Sequence, residues 1–294
     1  MGRVKSKKGS RLTHDLIDPQ HCHDRAATQQ PLYDGLTSRP GWSHRCCSAT
    51  LSQLLVRKLI MSVSSPSFRE LPILESGDRL TRDEFERRYQ AMPQLEKAEL
   101  IEGIVHVASP LRYRRHGRPH SHIMAWLGVY EAATPGVESA GNPTVRLDLD
   151  NEPQPDAILR MHESCGGQSR ISEDDYIEGA PELIVEIAAS TASYDLHDKL
   201  RAYRRNGVRE YLVWLNQEQV FRWYVFQNGE YLLQQPNESG ALSSRVFPGL
   251  WLAVDALLTG NMQQVLGVLQ RGIESEEHQE FAARLATRGA EARA

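Results

Sequence analysis

Residues 182–188 read Glu-Leu-Ile-Val-Glu-Ile-Ala, an apolar run interrupted by one carboxylate, Glu186. Such a run is typical of a strand that is covered on both faces, so it predicts the centre of a sheet. Because side chains alternate along a strand, Glu186 must share a face with Ile184 and Ala188. An ionised carboxylate there is costly unless it is paired, binds a metal or lies at the sheet edge. The chain therefore predicts a layered fold with a charged group in its central strand.

Helix and strand signals follow one another in a mixed order along the rest of the chain. Thr81 and Glu84 predict a capping box at the start of the first helix, and Asn228-Gly229 predicts a hairpin turn. The mixed order predicts an α/β (α+β) fold with a central mixed sheet flanked by helices. The predicted helices are 82–91, 120–133 and 195–206, with two more closing the chain, and the predicted strands are two short ones around 102–103, then 145–148, 155–159, 182–188, 210–215, 220–226 and 230–234.

The chain divides by charge and pattern into three parts. Residues 1–60 carry ten Lys or Arg against four Asp, a net of +6 within a total of −4, and show no lasting apolar period. We expect them to be a disordered basic extension, or to precede a true start at Met61. A basic arm also suits nucleic-acid binding, whereas its His and Cys residues lack the spacing of zinc ligands. The ordered pattern predicts a domain over 70–260 and a helical tail over 261–294 that packs on the core or on a second subunit.

Several classes of protein are disfavoured by the composition. No run approaches the roughly 20 apolar residues that a membrane span needs. Four cysteines are too few and too oddly spaced for a disulfide framework. We therefore expect a cytoplasmic protein that does not span a membrane. The chain also contains neither a Gly-x-Ser-x-Gly elbow nor a Walker A loop, which argues against the esterase and NTPase classes.

A second carboxylate, Asp156, begins another apolar strand directly after Pro155. On a strand next to Glu186 it would repel that residue, unless a cation lay between them. A hard divalent ion such as Mg²⁺ is commonly held by one or two carboxylates, with water completing its shell, and the carbonyl of Ile187 could add an oxygen. The alternatives are a turn carboxylate at Asp156 and a salt bridge at Glu186.

The next helix places Asp195, Lys199 and Tyr203 at i, i+4 and i+8, and therefore on one face. If that face points to the Glu186 strand, the Lys199 ammonium would orient or deprotonate an attacking water and offset negative charge in a transition state. The alternative is a surface ion pair between Asp195 and Lys199.

An ordered series of motifs extends over roughly 78–258. It comprises Glu99-Leu100-Ile101-Glu102-Gly103, His120, Pro155-Asp156, Ala180-Pro181-Glu182-Leu183-Ile184-Val185-Glu186, Asp195-x-x-x-Lys199-x-x-x-Tyr203 and Gly207-Val208-Arg209-Glu210-Tyr211. Taken together, the series resembles the Uma-type restriction endonuclease family of the PD-(D/E)XK nuclease superfamily. The resemblance implies a restriction-endonuclease-like core and hydrolysis of DNA phosphodiester bonds that depends on Mg²⁺, with Mn²⁺ as a substitute. By this resemblance, Asp156 and Glu186 would be the metal ligands and Lys199 the catalytic lysine.

Two members of the series and one departure from it bear on the site. The superfamily places its lysine two residues after the acidic residue, where this chain has Ala188, so the resemblance implies that the lysine has moved to Lys199. Glu102 is a further candidate catalytic residue, although an acidic residue before Gly103 also suits a simple turn. His120 is a candidate for contacting a phosphate or water, or else faces solvent.

The densest basic run outside the arm, residues 112–118, is predicted to be a loop that contacts a phosphate backbone, or one that is simply solvated.

Three functions follow from these patterns. The first is a Mg²⁺-dependent endonuclease acting on DNA. The others are a non-catalytic nucleic-acid-binding or assembly protein on the same fold, and a metal hydrolase of another substrate. Because the chain outside the arm carries a net −10, DNA binding favours a homodimer or a partner that supplies positive surface.

Overall fold

A six-stranded mixed sheet forms the centre of the protein in a computed structural model that describes residues 71–189 and 191–292. The α+β class with a central mixed sheet is thereby confirmed, whereas the expectations for residues 1–60 lie outside the described residues. The strands are β1 (Ala98–Ile101), β2 (Ile104–Val107), β3 (Val137–Gly141), β4 (Val145–Arg146), β5 (Ala157–Met161), β6 (Arg170–Ile171), β7 (Ile177–Glu178), β8 (Leu183–Ala188), β9 (Glu210–Leu215), β10 (Val220–Gln227), β11 (Glu230–Leu233), β12 (Ala241–Ser243) and β13 (Trp251–Ala253).

Helices lie between and after these strands. Two π-helical turns extend helices at their N-terminal side, one running into α2 and the other joining α3 to α4. The helical elements are α1 (Arg82–Gln90), the π turn Tyr113–Gly117, α2 (Arg118–Ala133), the 3-10 turn Glu163–Cys165, α3 (Ala192–Tyr194), the π turn Asp195–Lys199, α4 (Leu200–Arg205), α5 (Val254–Thr259), α6 (Met262–Ile273) and α7 (Glu276–Glu291).

The apolar strand β8 lies inside the sheet, whose order is β11-β10-β9-β8-β5-β3. It pairs antiparallel with β5 and parallel with β9, so both of its edges are hydrogen-bonded. Strands β9, β10 and β11 continue as an antiparallel meander. Asn228 and Gly229 have φ values of 52° and 87°, which confirms the predicted hairpin turn between β10 and β11.

The alternation of side chains along β8 divides the apolar core into two clusters. Val185 and Ile187 belong to a cluster that also contains the apolar residues of α2 and α6. Ile184 and Ala188 belong to a second cluster, together with Tyr203 of α4. Both faces are covered, which is why the run had to be apolar at nearly every position.

The last two helices pack on the core rather than standing apart from it. Val265 and Leu269 of α6 and Leu285 of α7 are buried in the cluster that contains α2. At Gly272 the backbones approach so closely that a Cβ would lie 2.1 Å from the carbonyl oxygen of Gly249, so only glycine fits there. Among the described residues, no helix is both long enough and apolar enough to cross a membrane.

Two local expectations are wrong. Helix α1 begins as predicted, but Thr81 makes no capping hydrogen bond with its side chain. Glu84 instead accepts hydrogen bonds from Arg87 at 2.8 Å and Arg88 at 2.6 Å, because charge-assisted bonds to guanidinium groups compete with the cap amide. The basic run is not a loop either: it forms the π turn that leads into α2, and Pro119 is tolerated there because it lies in the first turn of that helix.

Helix α2 positions the histidines of the candidate site, so its packing against the sheet can be tested directly. Leu127 is completely buried on α2, whereas Leu149 is 69% exposed. We expect Leu127→Ala to lower the free energy of unfolding by about 2–5 kcal/mol, because it leaves a cavity in the core. The matched variant Leu149→Ala should change it by less than about 0.5 kcal/mol. Denaturant unfolding measures both, and equal losses would show that α2 does not pack as described.

Candidate active site

The two predicted carboxylates occupy neighbouring positions on adjacent strands, Asp156 directly before β5 and Glu186 within β8. Ala157 of β5 pairs with Val185 of β8, so the next residues in this antiparallel register are Asp156 and Glu186. Both side chains are almost completely buried. Oδ2 of Asp156 accepts the backbone N–H of Ile187 at 2.7 Å, which holds its carboxylate against β8. The carboxylates are therefore neighbours because of strand pairing.

Lys199 reaches Glu186 from the helical segment that follows β8. Its Nζ donates to Oε1 of Glu186 at 2.8 Å and lies 3.9 Å from Oδ1 of Asp195. The hydroxyl of Tyr203 donates to the same Oε1 at 2.8 Å. The predicted shared face of Asp195, Lys199 and Tyr203 therefore points at the Glu186 strand, and the structure brings Asp156, Glu186 and Lys199 into one cluster.

The acidic residue of the first motif that joins this cluster is Glu99 and not Glu102. Glu99 lies on the fully buried strand β1, accepts Nζ of Lys199 at 2.9 Å and accepts the backbone N–H of Gln154 at 2.7 Å. Glu102 lies in the turn after β1, with a φ of 52°, and its carboxylate pairs with Arg205 at 3.1 Å. Glu102 therefore does not contact Lys199, because the chain reverses after β1 and directs its carboxylate to Arg205.

His120 lies beside the cluster, but it contacts the backbone. Its Nε2 donates to the carbonyl oxygen of Asp156 at 2.8 Å. The carboxylate itself is contacted by His116, whose Nε2 lies 3.0 Å from Oδ1 of Asp156, and the two imidazole rings stack with centroids 5.9 Å apart. The sequence pattern alone places His116 only in a basic run. Its spacing of four residues from His120, which places both on one helical face, is the signal that could have found it.

Burial and charge act against each other at Asp156. Burial alone would raise the pKa of its carboxyl. The hydrogen bond from His116, together with the positive charges of Lys97 and Lys199, outweighs burial and holds the pKa at about 2. Asp156 is therefore ionised across the physiological range.

The rest of the cluster contains more carboxyl groups than lysines. Burial raises the pKa of Glu186 to about 8 against the opposing effect of Lys199, because Asp156, Asp195 and Glu99 add negative charge around it. Burial likewise raises the pKa of Asp195 to about 6. For Lys199, burial acts to lower the pKa, but the surrounding carboxylates raise it well above its ordinary value. Lys199 is therefore charged, and the cluster is short of positive charge.

The donor set of this cluster fits a hard divalent cation. Within 71–189 and 191–292, no three His, Cys, Asp or Glu side chains are arranged as a ready ligand group. Mg²⁺ needs no such group, since one or two carboxylates with water and substrate oxygens suffice. Asp156 and Glu186 provide two carboxylates side by side, and the bonds that Glu186 makes to described residues both use Oε1. The oxygen chemistry and the excess negative charge both suit such an ion.

A comparison of the sequence with models of known protein families finds a match. A model of the Uma2 family, described as "Putative restriction endonuclease", matches residues 82–255, a range that contains the whole cluster. The chain belongs to this family. The resemblance seen in the sequence is thereby confirmed, and the family supports a nuclease of the restriction endonuclease type.

Two further comparisons add less to the assignment. No curated protein matches this Uma2-family chain. Among solved structures, it is similar to a "putative nuclease belonging to DUF820" from Anabaena variabilis, with 15% sequence identity, a TM-score of 0.46, and coverage of 59% of this chain and 96% of that chain. The family assignment rests on the family model alone.

Removing Lys199 tests whether the cluster is held together by its charge. We expect Lys199→Met to lower the free energy of unfolding by about 3–5 kcal/mol at neutral pH, because it leaves buried carboxylates uncompensated. Lys97→Met, which removes a half-buried lysine 3.5 Å from Asp156, should lower the free energy of unfolding by a smaller amount. In the double variant Lys199→Met/Glu186→Gln, the loss should be smaller than the sum of the single losses, as measured in a double-mutant cycle. Additive losses would show that the two residues do not interact.

Proposed function

We propose that this Uma2-family chain is a metal-dependent endonuclease that hydrolyses phosphodiester bonds in DNA. One observation carries the proposal: Asp156 and Glu186 are buried at paired positions of adjacent strands, and Lys199 of the following helical segment donates to Glu186. A cluster of this composition is costly to bury, so a purely structural role would be poorly served by it. Membership in a family described as restriction endonucleases supplies the class of reaction.

Asp156 and Glu186 are the residues that would hold Mg²⁺ or Mn²⁺ in this proposal. When bound, such an ion would supply Lewis-acid polarisation of a phosphoryl oxygen and positive charge for a leaving oxygen. The ionised state of Asp156 suits this role, since its pKa of about 2 keeps the carboxylate negatively charged at neutral pH. The raised pKa of Glu186 indicates that added positive charge beside it would be stabilising.

Lys199 acts in this proposal as a hydrogen-bond donor and a positive charge. A lysine whose pKa is raised well above its ordinary value remains protonated, which favours orienting a water or phosphate oxygen over deprotonating a water. In the charged form its ammonium offsets negative charge that develops in the transition state. The move of the catalytic lysine from position 188 to the following helix is supported by the 2.8 Å contact between Lys199 and Glu186.

Glu99, Tyr203 and His116 are positioning residues in this scheme. Glu99 accepts a second hydrogen bond from the Lys199 ammonium, and the Tyr203 hydroxyl fixes Oε1 of Glu186. His116 fixes Oδ1 of Asp156. Each acts on the proposed reaction through another residue.

A second candidate function, nucleic-acid binding without hydrolysis, is favoured by the internal pairing of the same residues. The ammonium of Lys199 is already bonded to Glu99 and Glu186, and Oδ2 of Asp156 already accepts a backbone N–H. A protein that had lost hydrolysis could keep such a cluster as an internal ion pair. Metal binding distinguishes the two candidates.

The proposed activity is tested by nicking of supercoiled plasmid DNA with the full chain in the presence of Mg²⁺ or Mn²⁺. Asp156→Asn and Glu186→Gln should each lower the nicking rate by about 10²-fold or more, because each removes charge stabilisation at the reacting centre. Glu102→Gln is the matched control and should nick at the wild-type rate, since that carboxylate lies outside the cluster. Nicking that survives in both cluster variants would point to a contaminating nuclease or a different site.

Metal binding is measured separately by calorimetric titration of the full chain with Mg²⁺ and Mn²⁺. The endonuclease proposal expects binding in the millimolar range or tighter, and expects Asp156→Asn to weaken it while Glu102→Gln does not. If the wild-type chain binds neither ion at millimolar concentration, the second candidate replaces the first.

A further inference from the structure

The π turn and its flanks, residues 112–118, form an exposed basic surface that we call the basic turn. Its arginines are all exposed, and none of their side chains forms an ion pair or hydrogen bond with another described residue. On the nearby helical segment, by contrast, Arg201 pairs with Asp198 and Arg204 pairs with Glu230. Unpaired arginines at such density on one turn repel one another, so they favour an anionic partner. The four are Arg112, Arg114, Arg115 and Arg118.

The basic turn is fixed to the candidate active site by its own internal residue. His116, in the middle of the turn, is buried and lies 3.0 Å from Oδ1 of Asp156. On the other side, Nδ2 of Asn216 donates to the carbonyl oxygens of Arg114 and Arg115, at 3.3 and 2.8 Å. These contacts use the imidazole and the backbone, so they hold the turn in place and leave the guanidinium groups exposed.

A cleft of about 110 Å³ opens beside the basic turn. Arg114 and Arg118 both line it, together with Asn216 and Trp214. The indole nitrogen of Trp214 is buried and has no hydrogen-bond partner among the described residues, although indole N–H groups usually find one. Two arginines around one small cleft suit a phosphate oxygen as acceptor, because guanidinium groups form charge-assisted hydrogen bonds to phosphate.

Charge explains why a nuclease of this kind needs such a surface. A DNA strand that reaches Glu186 must approach a cluster in which four carboxylates, those of Asp156, Glu186, Glu99 and Asp195, lie around two lysines, Lys97 and Lys199. That field repels phosphates. The basic turn contacts the same cluster through His116, so its arginines offset the repulsion and supply backbone contacts that do not depend on base sequence.

We propose that the basic turn binds backbone phosphates of duplex DNA next to the scissile phosphate and so directs the strand to Asp156 and Glu186. This inference rests on the proposed endonuclease function and extends it by naming the surface that holds the substrate. Arg114 and Arg118 contact phosphate oxygens at the cleft, and Arg112 and Arg115 contact neighbouring phosphates.

Binding of a fluorescein-labelled DNA duplex of about 20 base pairs, followed by anisotropy in EDTA, tests the surface without any hydrolysis. The test variant is Arg114→Gln/Arg115→Gln. The matched control is Arg245→Gln/Arg271→Gln, which removes the same charge from two exposed arginines that form no ion pair with other described residues. None of these four side chains contributes to a buried contact, so both variants should melt like the wild type.

At about 50 mM salt, the test variant should bind the duplex about 10- to 100-fold more weakly than the wild type, and the control less than about 3-fold more weakly. The slope of log K against log salt should become shallower by about 2 in the test variant only, because two phosphate contacts are lost. Equal affinities and slopes in the two variants would overturn the inference. The inference would also be overturned if the wild-type chain did not bind the DNA duplex. It would be overturned as well if the test variant lost affinity only for an RNA duplex of the same sequence.

Plasmid nicking by the same proteins separates this inference from the proposed function. If no protein nicks DNA but duplex binding depends on Arg114 and Arg115 as expected, the endonuclease proposal fails and the binding surface stands. If the wild type nicks DNA, the test variant should show a raised KM relative to the control. A KM equal to that of the control would overturn the surface and leave the endonuclease proposal intact.

Discussion

The buried ion pair between Lys199 and Glu186 is the interaction on which the candidate site depends. The Lys199 ammonium is also bonded to Glu99, so it joins the hairpin β1–β2, the central strand β8 and the following helical segment at one point. Buried ion pairs of this kind contribute little net stability, because desolvation offsets much of the attraction. Losing one partner is costly, however, since the remaining charge stays buried. The pair therefore specifies an arrangement, and it places a protonated lysine where a reaction could use it.

Opposite charges lie close together around this point. Carboxylates are buried on and beside strands β1, β5 and β8, and arginines that form no ion pair with other described residues are exposed on the turn that His116 connects to Asp156. A polyanion would be held by the exposed arginines while its reacting group meets the carboxylates, a metal ion and Lys199. The residues outside the basic arm carry a net negative charge, but a nuclease needs positive charge only where the DNA backbone lies. The local charge beside the site therefore matters more than the net charge of the chain.

Much of the fold follows from local patterns that any reader of the sequence can use. The apolar run at 182–188, the helical spacing of Asp195, Lys199 and Tyr203, and the Asn228-Gly229 turn each predict an element that the structure contains. These patterns work because burial on both faces, helix periodicity and positive φ are properties of short segments. The charge of residues 112–118 predicts a loop, but the structure contains a π turn there. His116 is buried in that turn because it contacts Asp156, forty residues later in the chain, which a local pattern cannot reveal.

The sequence by itself determined that Glu186 would be a buried carboxylate in a central strand and that Lys199 would share a face with Asp195. Only the tertiary structure decided that this face meets Glu186, that Glu99 and not Glu102 completes the cluster, and that His116 contacts Asp156. The reason is physical. Periodicity fixes the face of an element on which a side chain lies, whereas the pairing of β5 with β8 and the reversal after β1 decide which faces meet across long stretches of sequence.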